Sequence, residues 1–298
     1  MRASSASAAV SSFGESGAGD VRGLVFVRDP SRRAPSRGTG DGGRQAEEPA
    51  SPAGKPPATG ARPAFYALAP GGWRDYGTLL HAPYTVWHLS YVAVGAALVP
   101  AIDFARLAAT LAAFFLALGI GAHALDELQG RPLQTRISPR LLVALAASSI
   151  AGALAIGVVS CFWISPWLGP FVAFGGFIVV AYNLELFGGA LHTTFWFALA
   201  WGGFPLLTGY FAQAETVRPE AVVAAAFATL LSVVQRRLST RVRFVRRTVA
   251  SVSGTIELAD GSREPVTAAS LIREPETALR TLSIAIALLA AALVLSRV

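Results

Sequence analysis

The residues best suited to chemistry gather between Gly121 and Ser138. His123, Asp126 and Glu127 stand at i, i+3 and i+4, which is one face of a helix. Two adjacent acids beside a histidine suit a hard divalent cation such as Mg²⁺, with phosphate oxygens completing its shell. Arg131 and Arg136 follow directly and suit the phosphate itself. This reading makes His123, Asp126 and Glu127 the catalytic candidates, with Asp126 and Glu127 as metal ligands. The plainer alternative is that the two acids pair with those arginines where the chain leaves the membrane. A second cluster holds Tyr182, Asn183, Glu185 and His192 around a Gly-Gly turn. It can join the first as ligands or hydrogen-bond a substrate head group, although tyrosine is also an ordinary residue of the membrane interface. A His/carboxylate set of His123, Glu127, Glu185 and His192 would instead suit Mn, Fe or Zn.

A third cluster is cationic: Gln235 to Arg247 carries six arginines in thirteen residues. Such a run sets membrane topology and meets anionic lipid head groups. Arg236 and Arg237 become phosphate ligands only if this segment turns back over a cavity. Nucleic acid is not an expected partner, because no base-reading fold accompanies the charge.

The elements that must position these residues follow from composition. Of 298 residues, 53% are hydrophobic and 14% charged, against about 25% charged in soluble domains. Mean hydropathy is +0.50. A polytopic, all-α bundle of membrane-spanning helices hides that much apolar surface. A single cysteine, Cys161, excludes an internal disulfide framework. Seven candidate spans are expected, near 79–100, 104–125, 141–163, 167–186, 191–211, 220–235 and 277–295. Residues 1–70 form a Gly/Ser/Pro/Arg-rich segment without periodicity, expected to be a disordered tail. The bundle proper covers 71–247, a cytoplasmic insert 248–276 turns as a β-hairpin at Asp260-Gly261, and the last helix covers 277–298.

Arginines mark orientation. The loop after the second span holds Arg131, Arg136 and Arg140, and the sixth is followed by the six-arginine run. The alternate loops carry only Arg106 and Arg218. The positive-inside rule then places the basic loops and the N-terminus in the cytoplasm. The expectation is a multi-pass protein, read as one of a bacterial cell membrane.

In this order, these residues resemble the UbiA-like superfamily of intramembrane prenyltransferases over about residues 79–247. The similarity runs through Leu80–Trp87 in the first span, the acidic motif after the second helix, the Arg131-Pro132 pair and the Tyr182-Asn183 turn. It implies helices around a cavity open to the cytoplasmic side, Mg²⁺ bound by Asp-rich motifs, and a polyprenyl diphosphate donor. The donor would ionise to an allylic cation captured by an acceptor. The first family motif, Asn-Asp-x-x-Asp-x-x-x-Asp, falls on Ala122, His123, Asp126 and Gly130, so one acid remains, with Glu127 beside it. The second motif falls on Gln235 to Arg243, which contains no acid. Two functions follow: transfer of a prenyl or related lipid group from a diphosphate donor, or non-catalytic binding of an isoprenoid or other lipid. Prenyl diphosphate and membrane lipids are the expected partners; no protein partner is indicated.

Overall fold

The computed structural model describes residues 62–298. The expected disordered tail therefore lies outside the described residues up to position 61. Residues 62–70, assigned to that tail from composition, instead pack on the bundle, with Ala64 and Ala67 buried against Leu133. Phe65 and Tyr66 supply the aromatic surface that seats this segment against Tyr84 and His81.

Ten helices and one hairpin follow among the described residues. A short α1 (Trp73–Leu79) leads into α2 (Ala82–Ala97). Next, α3 (Phe104–Phe114) passes through a π-helical stretch, Phe115–Ala122, into α4 (His123–Leu128). A loop leads to α5 (Pro139–Trp163), and a 3-10 turn to α6 (Gly169–Asn183). Then α7 (Thr194–Ala198) passes through a second π-helical stretch, Leu199–Gly203, into α8 (Phe204–Ala214). The chain continues as α9 (Pro219–Thr248), strands β1 (Thr255–Glu257) and β2 (Arg263–Pro265), and α10 (Ala268–Leu295).

Five stretches are long and apolar enough to cross a membrane: Phe104–Leu128, Pro139–Trp163, Pro166–Asn183, Pro219–Thr248 and Ala268–Leu295. The first and fifth expected spans fall short of that standard. α2 has 16 residues, about 24 Å of helix against a hydrocarbon core of about 30 Å. The α7–α8 stretch is diluted by Trp, Gly, Thr, Pro and Gln. Both are largely inner elements. Trp87, Tyr91 and Val92 of α2 are wholly buried, and so is Leu206 of α8. Their neighbours face lipid in their place: α5 exposes Val143, Val159 and Phe162, and α10 exposes Ile284 and Leu288.

Local signals set several boundaries. Asp103 caps α3 by accepting from Ala105 and Arg106 N–H, and Ser138 caps α5 ahead of Pro139. Thr267 and Ser270 form a reciprocal capping box, so α10 begins nine residues before the expected 277, with Pro275 inside its early turns. The hairpin turns where expected: Asp260 Oδ1 accepts from the N–H and hydroxyl of Ser262. The largest departure is α9, which does not stop near 235. The arginine run expected as a loop is the last three turns of that helix, anchored to α10 by a two-pronged Arg246–Glu276 ion pair at 2.5 and 2.9 Å.

α2 and α8 approach closely enough to exclude side chains. A Cβ on Gly95 would collide with the Leu206 carbonyl, and one on Gly209 with the Val92 carbonyl. Small residues are the usual device for close helix contact where lipid supplies no hydrophobic drive. Gly95→Leu and Gly209→Leu are each expected to abolish a monodisperse, cooperatively unfolding protein in detergent, monitored by size exclusion and thermal unfolding. Gly169→Ala, whose Cβ would meet nothing, should leave both unchanged.

Candidate functional site

The two adjacent acids at the end of α4 have opposite surroundings. Glu127 is fully buried. Its Oε2 accepts from Leu133 N–H at 2.9 Å, and its Oε1 from Thr135 N–H at 2.8 Å and Thr135 hydroxyl at 2.9 Å. A carboxylate occupied on both oxygens by one loop organises that loop and has little left for a cation. Arg131 works on the same loop: one of its Nη atoms donates to the carbonyls of Thr135 and Ile137, at 3.1 and 2.6 Å. Arg131 and Gln134 both have positive φ, 57° and 58°, so these bonds stabilise a backbone that non-glycine residues seldom adopt. Arg136 enters through its N–H, donated at 3.0 Å to buried Asp75, while its side chain is exposed.

Asp126 is half-buried and has no hydrogen-bond or ion-pair partner among the described residues. It borders a small polar cavity of about 30 Å³, walled by His81, Tyr84, Arg243, Arg247 and the segment Pro63–Tyr66. His81 and His123 stack ring on ring above it, 3.9 Å apart and 17° from parallel. His123 Nδ1 meets the Gly119 carbonyl at 3.1 Å, and His81 Nε2 is buried without a partner. Burial pushes the Tyr66 phenol far above its ordinary range, with Tyr84 adding to the effect and Arg247 and Arg243 opposing it, so Tyr66 presents a neutral O–H.

The helical continuation of α9 sorts the arginines by face. Arg236, Arg243 and Arg247 are spaced i, i+7 and i+11, one stripe, and all three are half-buried. Arg237 and Arg241 point outward and are exposed. Arg236 donates to the Tyr182 hydroxyl and lies 5.0 Å from the Phe197 ring centroid. Tyr182 is held between His192, stacked at 4.4 Å, and Trp201 at 4.6 Å. Asn183 turns back to donate to the Val179 carbonyl at 2.6 Å. His192 Nδ1 meets the Tyr182 carbonyl at 3.1 Å and stands 3.7 Å from exposed Glu185.

The expected clusters are thus divided between tasks. Asp126 lines the polar cavity and His123 stacks on its wall residue His81, whereas Tyr182, His192 and Arg236 form an adjoining stack. Glu127, Arg131 and Asn183 hold local backbone, and Glu185 and Arg237 lie at the surface. Among the described residues, no three His, Cys, Asp or Glu side chains stand close enough to hold a metal ion. The Mg²⁺ pair expected from sequence is split, because Glu127 is bound to its loop. The set of His123, Glu127, Glu185 and His192 is divided for the same reason. Tyr66, His81, Tyr84, Arg243 and Arg247 were not singled out as site residues from sequence. The i, i+7, i+11 spacing of the arginines was the available signal.

A second, apolar cavity of about 100 Å³ lies between α3, α5, α6 and α8. Phe114 and Leu118 wall it beside the first π-helical stretch, and Trp201 and Phe204 beside the second. π-helical turns shift side chains out of helical phase and recur at functional sites. Ala113, Leu154 and Val172 in its walls are only half-buried, so it reaches the lipid-facing side. Trp201 is common to both regions, lining this cavity on one side and touching Tyr182 on the other.

No family model, curated protein or solved structure matches the chain.

The contrast between the neighbouring acids is testable. Glu127→Ala strands three donors and is expected to cost about 3 kcal/mol or more, at roughly 1–3 kcal/mol per unsatisfied buried group. Asp126→Ala should change stability by less than about 0.5 kcal/mol, as for residues away from packed or bonded features. Denaturant unfolding of the two variants in detergent checks the difference.

Proposed function

We propose that this is an integral membrane protein that binds a lipid with an anionic phosphate or diphosphate head, a prenyl diphosphate being the form the sequence resemblance implies. The observation that carries this reading is the layered arrangement at one end of the bundle. Half-buried Arg236, Arg243 and Arg247 lie on one stripe without a carboxylate partner among the described residues, and an apolar cavity begins beyond the Tyr182–Trp201 layer. Guanidinium groups recognise phosphate oxygens by charge-assisted hydrogen bonds, and the Phe114, Leu118 and Phe204 walls suit a hydrocarbon segment. The apolar space is smaller than a pocket of about 150 Å³ that takes one benzene. It would therefore hold a short stretch of chain, with the remainder lying in the bilayer. Orientation follows the arginines: this end, with the outward Arg237 and Arg241, faces the cytoplasm in the same reading.

A second reading, transfer of the lipid group, is favoured by Asp126, whose carboxylate faces the polar cavity with no partner of its own. In that reading Arg243 and Arg247 offset charge on the departing diphosphate. Asp126 or His123 receives the acceptor's proton. No step is assigned to Mg²⁺, since Glu127 is committed to its loop.

Binding of farnesyl diphosphate to purified protein separates the contributions. Arg243→Ala with Arg247→Ala is expected to weaken it at least tenfold, given about 1.5–3 kcal/mol per hydrogen bond to a charged group. Ala113→Phe, which fills the apolar cavity, should weaken farnesyl diphosphate binding and leave inorganic diphosphate binding unchanged. Unaltered affinity in the arginine pair would remove the reading. Asp126→Asn that abolishes product while preserving donor binding would favour transfer over binding alone.

A further inference from the structure

The polar cavity is closed by the chain's own N-terminal strap. Residues Arg62 to Ala69 cross the end of the bundle and lay their backbone on the arginines: the Pro63 carbonyl accepts from Arg247 Nε at 3.4 Å, and the Arg62 carbonyl from Arg246 at 3.1 Å. Side chains pin the strap. Phe65 sits 4.8 Å under the Arg280 guanidinium, Tyr66 packs 5.3 Å from His81 and 5.5 Å from Tyr84, and Ala67 is buried on Leu133. Leu68 N–H donates to Thr78 hydroxyl at 2.9 Å. With the strap seated, about 30 Å³ remains beneath it, room for about two waters.

From this geometry we infer that the strap is a self-inhibiting plug, and that a phosphate-headed ligand and the strap compete for Arg247. The inference rests on the anionic-head reading above. Arg247 has no carboxylate partner among the described residues, and its listener across the cavity is a main-chain carbonyl, a neutral acceptor standing where an anionic oxygen would bind more strongly. The Pro63 carbonyl already occupies Arg247 Nε, so a phosphate oxygen that takes its place there displaces the strap. Linkage makes the effect reciprocal: a ligand that binds only the open form releases the strap, and a loosened strap raises ligand affinity by the same factor.

Hydrogen exchange of the intact protein in nanodiscs tests the coupling, with inorganic diphosphate and farnesyl diphosphate as separate probes. Amides of residues 64–69 are expected to exchange faster when either probe is bound, and the one acting at lower concentration identifies a free or lipid-borne head group. Ala67→Glu, which unseats the strap without lining the cavity and whose charge by itself opposes an anionic probe, is expected to bind the effective probe about fivefold more tightly or better, the lower end of typical coupling. Measurable binding with unchanged strap exchange and no gain of affinity in Ala67→Glu overturns the plug and leaves the head-group reading standing. Absence of binding to both proteins overturns the two together. Should Ala67→Glu fail to fold, exchange in the natural sequence decides alone.

Discussion

Glu127 is a buried acid with no cationic partner among the described residues, held by three donors from one loop. Desolvating an ion this completely is tolerable only when its lone pairs are filled. That requirement dictates the path of the chain between α4 and α5. The loop must curl until Leu133 and Thr135 reach the carboxylate, and Arg131 and Gln134 accept positive φ to allow it. Curling brings Leu133 under Ala64 and Ala67, and it presents the Arg136 N–H to Asp75. Asp126, one residue earlier, lines the polar cavity instead and has no partner among the described residues. The polar end of the bundle is therefore assembled around an acid whose hydrogen bonds go to its own loop.

A second constraint acts through α9. Once the helix runs past residue 235, 3.6-residue periodicity divides its arginines between an inward stripe and an outward face. The inward members meet Tyr182, the polar cavity and the strap, and the outward members are left for solvent or lipid head groups. Arg246, between the two, is tied to Glu276 of α10. The same amino acid thus supplies cavity-facing charge, surface charge and an interhelical tie within three turns. The distinction depends on helical phase alone.

The bundle places its weakest span candidates at its centre. α2 and α8 need not be long or uniformly apolar, because neighbouring helices shield them from lipid. They need instead to come close, which Gly95 and Gly209 permit. The outer helices show the opposite balance, with exposed Val, Leu, Ile and Phe on α5, α9 and α10. Polar side chains in the interior find partners there: Trp87 Nε1 and the Ser232 hydroxyl both donate to the Tyr91 hydroxyl oxygen. Trp201 and Tyr182 form the partition between apolar cavity and polar cluster.

The sequence by itself determined the class of protein and the approximate position of most helices. Apolar run length, caps such as Asp103 and Ser138, and the Asp260-Gly261 turn are local quantities, readable without knowing what packs on what. It also drew attention to His123, Asp126, Tyr182 and Arg236, since costly polar groups in an apolar chain are conspicuous. The division of labour between Asp126 and Glu127 was decided only by tertiary structure. Adjacent residues of the same charge differ by which loop reaches them, and that is a long-range property. The run after residue 235 read as a loop because charge marks a membrane boundary, yet leaving hydrocarbon does not end a helix whose next turns pack on α10 and the strap. Composition placed residues 62–70 in the tail. Their order comes from Phe65 and Tyr66 finding Arg280, His81 and Tyr84, residues distant in sequence that only the folded bundle brings within reach.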